Sequence, residues 1–190
     1  MSITIPKDSM IYLDLDGVLA DFFAEISHIA GVSDYRKINP DQVKEIIKSI
    51  QFTDFFYRLP KFEITDEIID IIFNINRKYG IISSPLTGDK ENSKLHKIKW
   101  IKANLKAQPL EVFIIDEKQK YALGKNMQRN ILIDDRGENI TKWENAGGIG
   151  IKFQSDEDNI LTLHKGLIRA EKIYKNKIQF IPQNLTSRIM

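Results

Sequence analysis

Short apolar runs recur along the chain, and longer segments with a different hydrophobic spacing separate them. Each run is apolar at consecutive positions, as expected for a strand that is covered on both faces of a parallel sheet. The runs span residues 10–13, 80–83, 112–115, 130–133 and 148–153. They predict five buried strands.

The intervening segments place apolar residues at helical spacing. Isoleucines at positions 64, 68, 71, 72 and 75 predict a helix over 64–78. Thr65 would cap its start, and Gly80 would supply the left-handed residue that ends it. The alternation of strands and helices predicts an α/β fold with a mostly parallel sheet.

One connection is much longer than a single crossover helix requires. About 65 residues separate Asp14 from Gly80. We therefore expect residues 20–78 to form a small helical cap over the carboxyl edge of the sheet. Its last helix, at about 64–78, would return to a core formed by residues 1–19 and 79–190.

Composition excludes several classes of site and partner. The chain has no cysteine, which excludes disulfides and thiolate chemistry, and its three histidines form no ligand motif. A net charge of +2 does not indicate nucleic-acid binding. No signal peptide or membrane span is evident, so we expect a soluble cytoplasmic protein that binds neither membranes nor nucleic acid.

The C-terminal segment begins acidic at about residue 156 and then becomes basic. We expect it to form a last helix followed by an irregular tail. Its cations are interpreted as a solvated helix face rather than a nucleic-acid patch, and they are Lys165, Arg169, Lys172, Lys175 and Lys177.

Paired carboxylates follow two of the predicted strands. Asp14 and Asp16 come after the first strand, and Asp134 and Asp135 end the fourth. Ligands of open α/β sheets bind at the carboxyl ends of the strands, and buried carboxylates repel one another unless a cation offsets their charge. Together they predict a divalent metal such as Mg²⁺, which prefers oxygen ligands. Either pair alone could be an acidic turn.

Hydroxyl and amino groups follow the second and third strands. Ser83 and Ser84 could form a phosphate cradle with the backbone amides of the next turn, although Ser-Ser-Pro is also common in simple turns. Lys118 or its neighbour Lys120 could neutralise a phosphate, although either could be a surface lysine.

The order of these motifs resembles that of the haloacid dehalogenase (HAD) superfamily, over about residues 10–153. Segments 14–22, 83–86 and 132–136 are similar to those of its 5'(3')-deoxyribonucleotidase branch. The pattern of Trp100 after Lys97 and Lys99 is similar too, as is that of Asn139 and Trp143 beyond the paired aspartates. This resemblance implies a Rossmann-like HAD core with a helical cap.

The resemblance also implies a phosphatase mechanism that uses an aspartate nucleophile. Asp14 would attack phosphorus to give an aspartyl-phosphate, and Asp16 would act as general acid and then as general base. An Asp14 oxygen, the Asp16 backbone carbonyl and Asp134 would hold Mg²⁺. Asp135 would support the metal shell.

The phosphoryl group would be bound by Ser83, Ser84 and Lys118. The family usually has threonine where Ser83 stands, and serine offers the same hydroxyl. Lys118, Lys120 and Lys125 are all candidates for the motif lysine. Lys118 is preferred because it lies nearest the predicted helix start.

An aromatic cluster in the predicted cap could bind a nucleobase. Phe22 matches a pocket position of the family, and Phe55, Phe56 and Tyr57 supply further aromatic surface. The alternative is that these side chains form the core of the cap.

Three functions remain open from the sequence. The first is a magnesium-dependent phosphatase of nucleoside monophosphates, with deoxynucleotides as the implied substrates, nucleotide salvage as the implied role and a homodimer as the implied assembly. The second is a phosphatase of nucleic-acid ends or of another small phosphate ester, suggested by the basic C-terminal segment. The third is a non-enzymatic phosphate-binding regulatory module. The presence of both Asp14 and Asp16 counts against this third alternative.

Overall fold

Five parallel strands form one sheet in the computed structural model, which describes residues 3–178. The strand order is β3-β2-β1-β4-β5. The strands are β1 (Ile11–Leu13), β2 (Gly80–Ser83), β3 (Glu111–Ile114), β4 (Ile131–Asp134) and β5 (Ile149–Lys152). The predicted α/β class is confirmed, and every neighbouring pair of strands is parallel.

Seven α-helices connect and flank the strands within the described residues. Four of them lie between β1 and β2, as the length of that connection predicts. The helices are α1 (Phe22–Ala30), α2 (Pro40–Ser49), α3 (Phe55–Arg58), α4 (Thr65–Asn76), α5 (Lys90–Asn104), α6 (Gly137–Asn145) and α7 (Ile160–Ile178). Short 3₁₀ helices lie at Tyr35–Lys37, Lys118–Tyr121 and Lys125–Met127.

The central position of β1 brings three strand ends together. Leu13 is in register with Ile81 of β2 and with Ile133 of β4. The backbone N–H of Asp14 then donates to the Ile133 carbonyl at 2.9 Å. Residues that follow β1, β2 and β4 therefore meet at one edge of the sheet.

Strand side chains alternate between two apolar layers, one on each face of the sheet. Ile11 and Leu13 belong to the larger layer, with Trp100 of α5. Tyr12 belongs to the smaller layer, where it packs against Trp143 of α6. The two buried layers explain why the strands are apolar at consecutive positions.

Both ends of α4 differ from the sequence expectation. Thr65 is the first helical residue rather than the cap, and its buried hydroxyl donates to the Leu19 carbonyl at 2.8 Å. The left-handed residue after the helix is Arg77, with φ of 56°. Gly80 instead lies in β2, where a Cβ would come within 2.6 Å of the Tyr12 ring. Gly80 is thus required by strand packing and not by helix termination.

The basic C-terminal segment forms α7, and acidic residues neutralise part of it. Arg169 pairs with Glu144 at 3.0 Å, and Lys175 pairs with Glu171 at 2.9 Å. The predicted tail lies outside the described residues. Within residues 3–178, no helix combines the length and the apolar character needed to cross a bilayer.

Candidate active site

A tight turn after β1 presents Asp14 and Asp16. The amides of Leu19 and Ala20 both donate to the Leu15 carbonyl, at 2.8 and 2.9 Å. Gly17 takes φ of +77°, and a Cβ there would lie 3.0 Å from the carboxyl carbon of Asp135. Glycine is therefore required both by the backbone conformation and by the close approach of the β4 end.

Three carboxylates converge at this edge of the sheet. Asp14, Asp134 and Asp135 each offer an oxygen, and these atoms lie within 4.8 Å of one another. Asp134 is fully buried, and its Oδ1 accepts from the Arg136 backbone N–H and from Asn139 Nδ2, both at 2.9 Å. A backbone amide and a side chain that follow β4 thus hold the Asp134 carboxylate in place.

Lys118 lies directly beside this cluster. Its Nζ is 2.9 Å from Asp14 Oδ2 and 2.7 Å from Asp134 Oδ2, and the residue is 3% exposed. Lys120 is exposed and pairs with Glu117, while Lys125 is exposed in a separate turn. Among the three sequence candidates, only Lys118 is placed at the carboxylates.

The pKa values of these groups reflect burial and crowding. Burial raises the pKa of Asp16, and burial together with the Asp14 charge raises that of Asp134. Burial, Asp14 and Asp134 raise the pKa of Asp135 to about 8. Burial alone would lower the pKa of Lys118, but the charges of Asp14 and Asp134 raise it above its usual value.

The charge balance of the site fits a divalent cation. With every group ionised, the four carboxylates (Asp14, Asp16, Asp134 and Asp135) exceed the two buried lysines (Lys97 and Lys118) by two charges, and burial together with this excess negative charge raises the pKa of Asp135 when no cation is bound. Carboxylate oxygens are the ligands that hard cations prefer. The cluster of Asp14, Asp134 and Asp135 could therefore hold a metal ion.

Lys97 is a site residue that the sequence reasoning missed. It is 1% exposed, and its Nζ bonds to Asp16 Oδ2, to Ser83 Oγ at 3.1 Å and to the Ser84 carbonyl at 2.6 Å. The helical spacing of the sequence carries a signal that Lys97 is buried. Lys97 lies four positions after Ser93 and three and four positions before Trp100 and Ile101, and all four residues lie on one buried face of α5.

A cavity of about 450 Å³ opens over these groups. Its polar wall consists of Asp14, Asp16, Ser83, Ser84, Lys97, Lys118, Asp135, Arg136 and Asn139. Its other wall is largely apolar and consists of Phe22, Phe23, Ile47, Phe56, Pro85, Leu86 and Thr87. The structure thus brings most of the sequence-predicted residues to a single cavity, with Asp134 buried beneath it.

Two of the aromatic candidates lie elsewhere. Phe55 is buried behind Phe22, with its ring edge-on at 5.8 Å between centroids. Tyr57 is half exposed and lines a separate hollow with Lys99 and Lys102. The cavity wall therefore takes Phe22 and Phe56 from the predicted aromatic cluster, and Phe55 supports them from the core.

Solved structures share this architecture. One is a hydrolase from Streptococcus pneumoniae TIGR4, with a TM-score of 0.52 and 17% sequence identity. The match covers 85% of this chain and 99% of the hydrolase chain. Another is L-2-haloacid dehalogenase from Xanthobacter autotrophicus with chloropropionic acid covalently bound, with a TM-score of 0.50 and 9% sequence identity. The match covers 85% of this chain and 82% of the dehalogenase chain. The fold is that of the haloacid dehalogenases.

This haloacid dehalogenase-like core, with helices inserted after β1, agrees with the fold that the motifs implied. No protein-family model matches the sequence, and no curated protein matches it either. At sequence identities of 9–17%, the structural similarity establishes the fold alone. The chemistry has to be inferred from the residues of the site.

Proposed function

We propose that this chain is a hydrolase of the haloacid dehalogenase superfamily that removes phosphate from nucleoside monophosphates with the help of Mg²⁺. One observation carries the proposal. Asp14, Asp16, Ser83 and Lys118 line a single cavity, next to a carboxylate cluster that could hold a metal. Phosphoryl transfer requires mainly positioning and charge neutralisation, and this set of groups can provide both.

In the first step, an Asp14 oxygen bonds to phosphorus as the bond to the leaving oxygen breaks. Asp16 gives its proton to that oxygen, so the alcohol leaves neutral and Asp14 carries the phosphoryl group. The covalently bound chloropropionic acid of the Xanthobacter structure supports covalent chemistry on this fold. Lys118 holds Asp14 in place and offsets the charge of the phosphoryl oxygens.

In the second step, water attacks the phosphorus of the aspartyl-phosphate. Asp16 takes a proton from the water, the bond from phosphorus to Asp14 breaks, and inorganic phosphate leaves. Ser83 donates its hydroxyl to the phosphoryl group, with Ser84 beside it. A Mg²⁺ ion held by Asp14, Asp134 and the Asp16 carbonyl, with Asp135 beside it, would neutralise phosphate charge.

The cavity supports a nucleotide as substrate. Its volume of about 450 Å³ lies within the usual range of ligand pockets. The polar wall suits a phosphate, and the partly exposed ring of Phe22 on the other wall, backed by the nearly parallel ring of Phe56, offers a surface on which a base can stack. We propose that residues 20–78 act as the cap that supplies this wall.

The ion pairs of α7 favour a mononucleotide over the end of a nucleic acid. Arg169 and Lys175, which motivated the nucleic-acid alternative, each pair with a glutamate. Pairing of this kind leaves less free positive charge for a polyanionic strand.

The test is phosphate release from a panel of nucleoside monophosphates that includes dUMP and dTMP. Wild-type protein should release phosphate with Mg²⁺ and lose that activity when the metal is chelated. Asp14→Asn should abolish turnover because the amide is a poor nucleophile, while circular dichroism shows an unchanged fold. Full activity in Asp14→Asn would refute the nucleophile assignment.

A further inference from the structure

A second buried lysine, Lys97, touches the reacting groups through contacts different from those of Lys118. The ammonium group of Lys97 has three N–H donors, and three oxygens of the protein accept them. The acceptors are Asp16 Oδ2, Ser83 Oγ and the Ser84 carbonyl. Lys97 therefore has no N–H left to donate to a substrate.

The contact with Lys97 distinguishes the two oxygens of Asp16. Oδ2 accepts from the ammonium group, whereas Oδ1 is buried and has no hydrogen-bond partner within residues 3–178. The ammonium group therefore anchors the carboxyl group of Asp16 by one oxygen, at the wall of the cavity that Asp16 lines.

The contact also orients Ser83. Because Nζ donates to Oγ at 3.1 Å, the hydroxyl hydrogen of Ser83 must point away from Lys97. Ser83 is 1% exposed and lines the same cavity. Its hydroxyl is thereby set to donate to an anionic oxygen in that cavity.

Lys97 also connects the reacting groups to the aromatic wall. Its Nζ lies 4.6 Å from the centre of the Phe56 ring, a cation–π distance. Phe56 belongs to α3, in the helical region after β1, whereas Lys97 belongs to α5. One side chain thus touches Asp16, the Ser83–Ser84 turn and the aromatic wall of the cavity.

We propose that Lys97 is a positioning residue that holds the carboxyl group of Asp16 in place as the proton donor to the leaving group and turns the Ser83 hydroxyl toward the phosphoryl group. The inference rests on the proposed phosphatase function and adds a residue to it. As the bond between phosphorus and the leaving oxygen breaks, the proton passes from the carboxyl group of Asp16 to that oxygen. Lys97 keeps its own protons throughout.

The test compares two leaving groups. An alkoxide, as in dUMP, needs a proton when it departs, whereas p-nitrophenolate is stable without one. Lys97→Met should lower kcat for dUMP by about 10²- to 10⁴-fold, the usual contribution of general acid catalysis, and kcat for p-nitrophenyl phosphate by less than about 10-fold. KM should change little, because Lys97 has no donor free for the substrate.

Lys99→Met is the matched control, since Lys99 lies two positions away on α5 and is exposed. It should leave both rates unchanged. Asp16→Asn should show the same dependence on the leaving group as Lys97→Met. If Lys97 acts on the leaving group through Asp16, the double variant should be slower on dUMP than Asp16→Asn alone by no more than the loss that Lys97→Met shows on p-nitrophenyl phosphate. Lys97→Gln, which keeps a polar side chain, repeats the comparison if Lys97→Met does not fold.

Equal losses on the two substrates would overturn the inference, because a purely structural role predicts equal losses. A double variant that multiplies the two losses would overturn it as well. If wild-type protein hydrolyses neither ester, the proposed function itself fails and the inference with it. That outcome is distinct, because it is seen in the wild-type protein.

Discussion

Removing the amino group of Lys118 should destabilise the protein strongly. Lys118→Met keeps most of the side-chain length but leaves Asp14 and Asp134 without the cation that lies 2.9 and 2.7 Å from their oxygens. All three residues are at most 4% exposed. Asp14 and Lys118 line the cavity but Asp134 lies beneath it, so water can replace the lost partner only in part.

The size of the effect follows from the cost of an unpaired buried charge. Removing one partner of a buried ion pair typically costs about 3–5 kcal/mol, and here two carboxylates lose the same partner. At about 2–4 °C per kcal/mol for a chain of this length, we expect the thermal midpoint to fall by roughly 6–20 °C. In urea, the same loss should lower the midpoint by about 1 M or more.

The assay is urea unfolding followed by circular dichroism, without metal. Lys120→Met is the control, because Lys120 is exposed and only two residues away. Its midpoint should match that of the wild type. If Lys118→Met unfolds at the same urea concentration as the wild type, the buried contacts of Lys118 do not stabilise the fold as argued.

Added Mg²⁺ extends the same experiment to the metal site. A cation bound by Asp14, Asp134 and Asp135 would offset part of the repulsion that Lys118→Met leaves. We expect Mg²⁺ to raise the midpoint of the variant more than that of the wild type. Equal shifts in both proteins would mean that Mg²⁺ does not bind beside Lys118.

Two further variants test the aromatic wall and the contact of α5 with the helical region. Phe22→Leu should raise KM for dUMP by about 10-fold, because stacking on an aromatic ring is worth about 1–3 kcal/mol, and should change KM little for a phosphate ester without a base. Equal effects on both substrates would contradict base stacking. Trp100→Phe removes the hydrogen bond from Nε1 to the Leu59 carbonyl at 2.7 Å and leaves a buried acceptor unpaired. It should cost about 1–3 kcal/mol in urea unfolding, and an unchanged midpoint would refute this estimate.

The sheet and its acidic edge could be predicted from the sequence for a clear reason. Strands covered on both faces are apolar at consecutive positions, and carboxylates that follow such runs must meet at the carboxyl edge of a parallel sheet. Asp14 and Asp134 follow this rule, and their oxygens lie together in the structure. The position of Ser83 at the end of β2 follows in the same way.

The lysines could not be resolved by the same rule. A lysine side chain is long and flexible, so its position in sequence does not determine where its Nζ lies. Lys118 was one of three candidates until the short helix after β3 placed it beside Asp14. Lys97 is part of the family-like pattern before Trp100, but its role at the site is not predictable, because a lysine on a helix is usually solvated, whereas here the ammonium group is surrounded by oxygens of the protein.

The aromatic cluster shows the limit of reasoning from neighbours in sequence. Consecutive residues of a helix point about 100° apart, so Phe55, Phe56 and Tyr57 cannot all face one cavity. Of the three, Phe56 lines the cavity, while Phe55 packs inward and Tyr57 lines a separate hollow with Lys99. The exact start of α3, which pattern alone does not give, decides which ring reaches the cavity.

The central claim is that Asp14 is phosphorylated during turnover. The direct measurement is mass spectrometry of the protein after a reaction with dUMP and Mg²⁺ that is quenched in acid within one turnover. The quenched protein is digested, and the masses of its peptides are measured. We expect the peptide that contains Asp14 to gain the mass of one phosphoryl group, and the gain to be absent in Asp14→Asn. Phosphate release without any modified Asp14 peptide, or a phosphoryl group on another residue, would contradict the account.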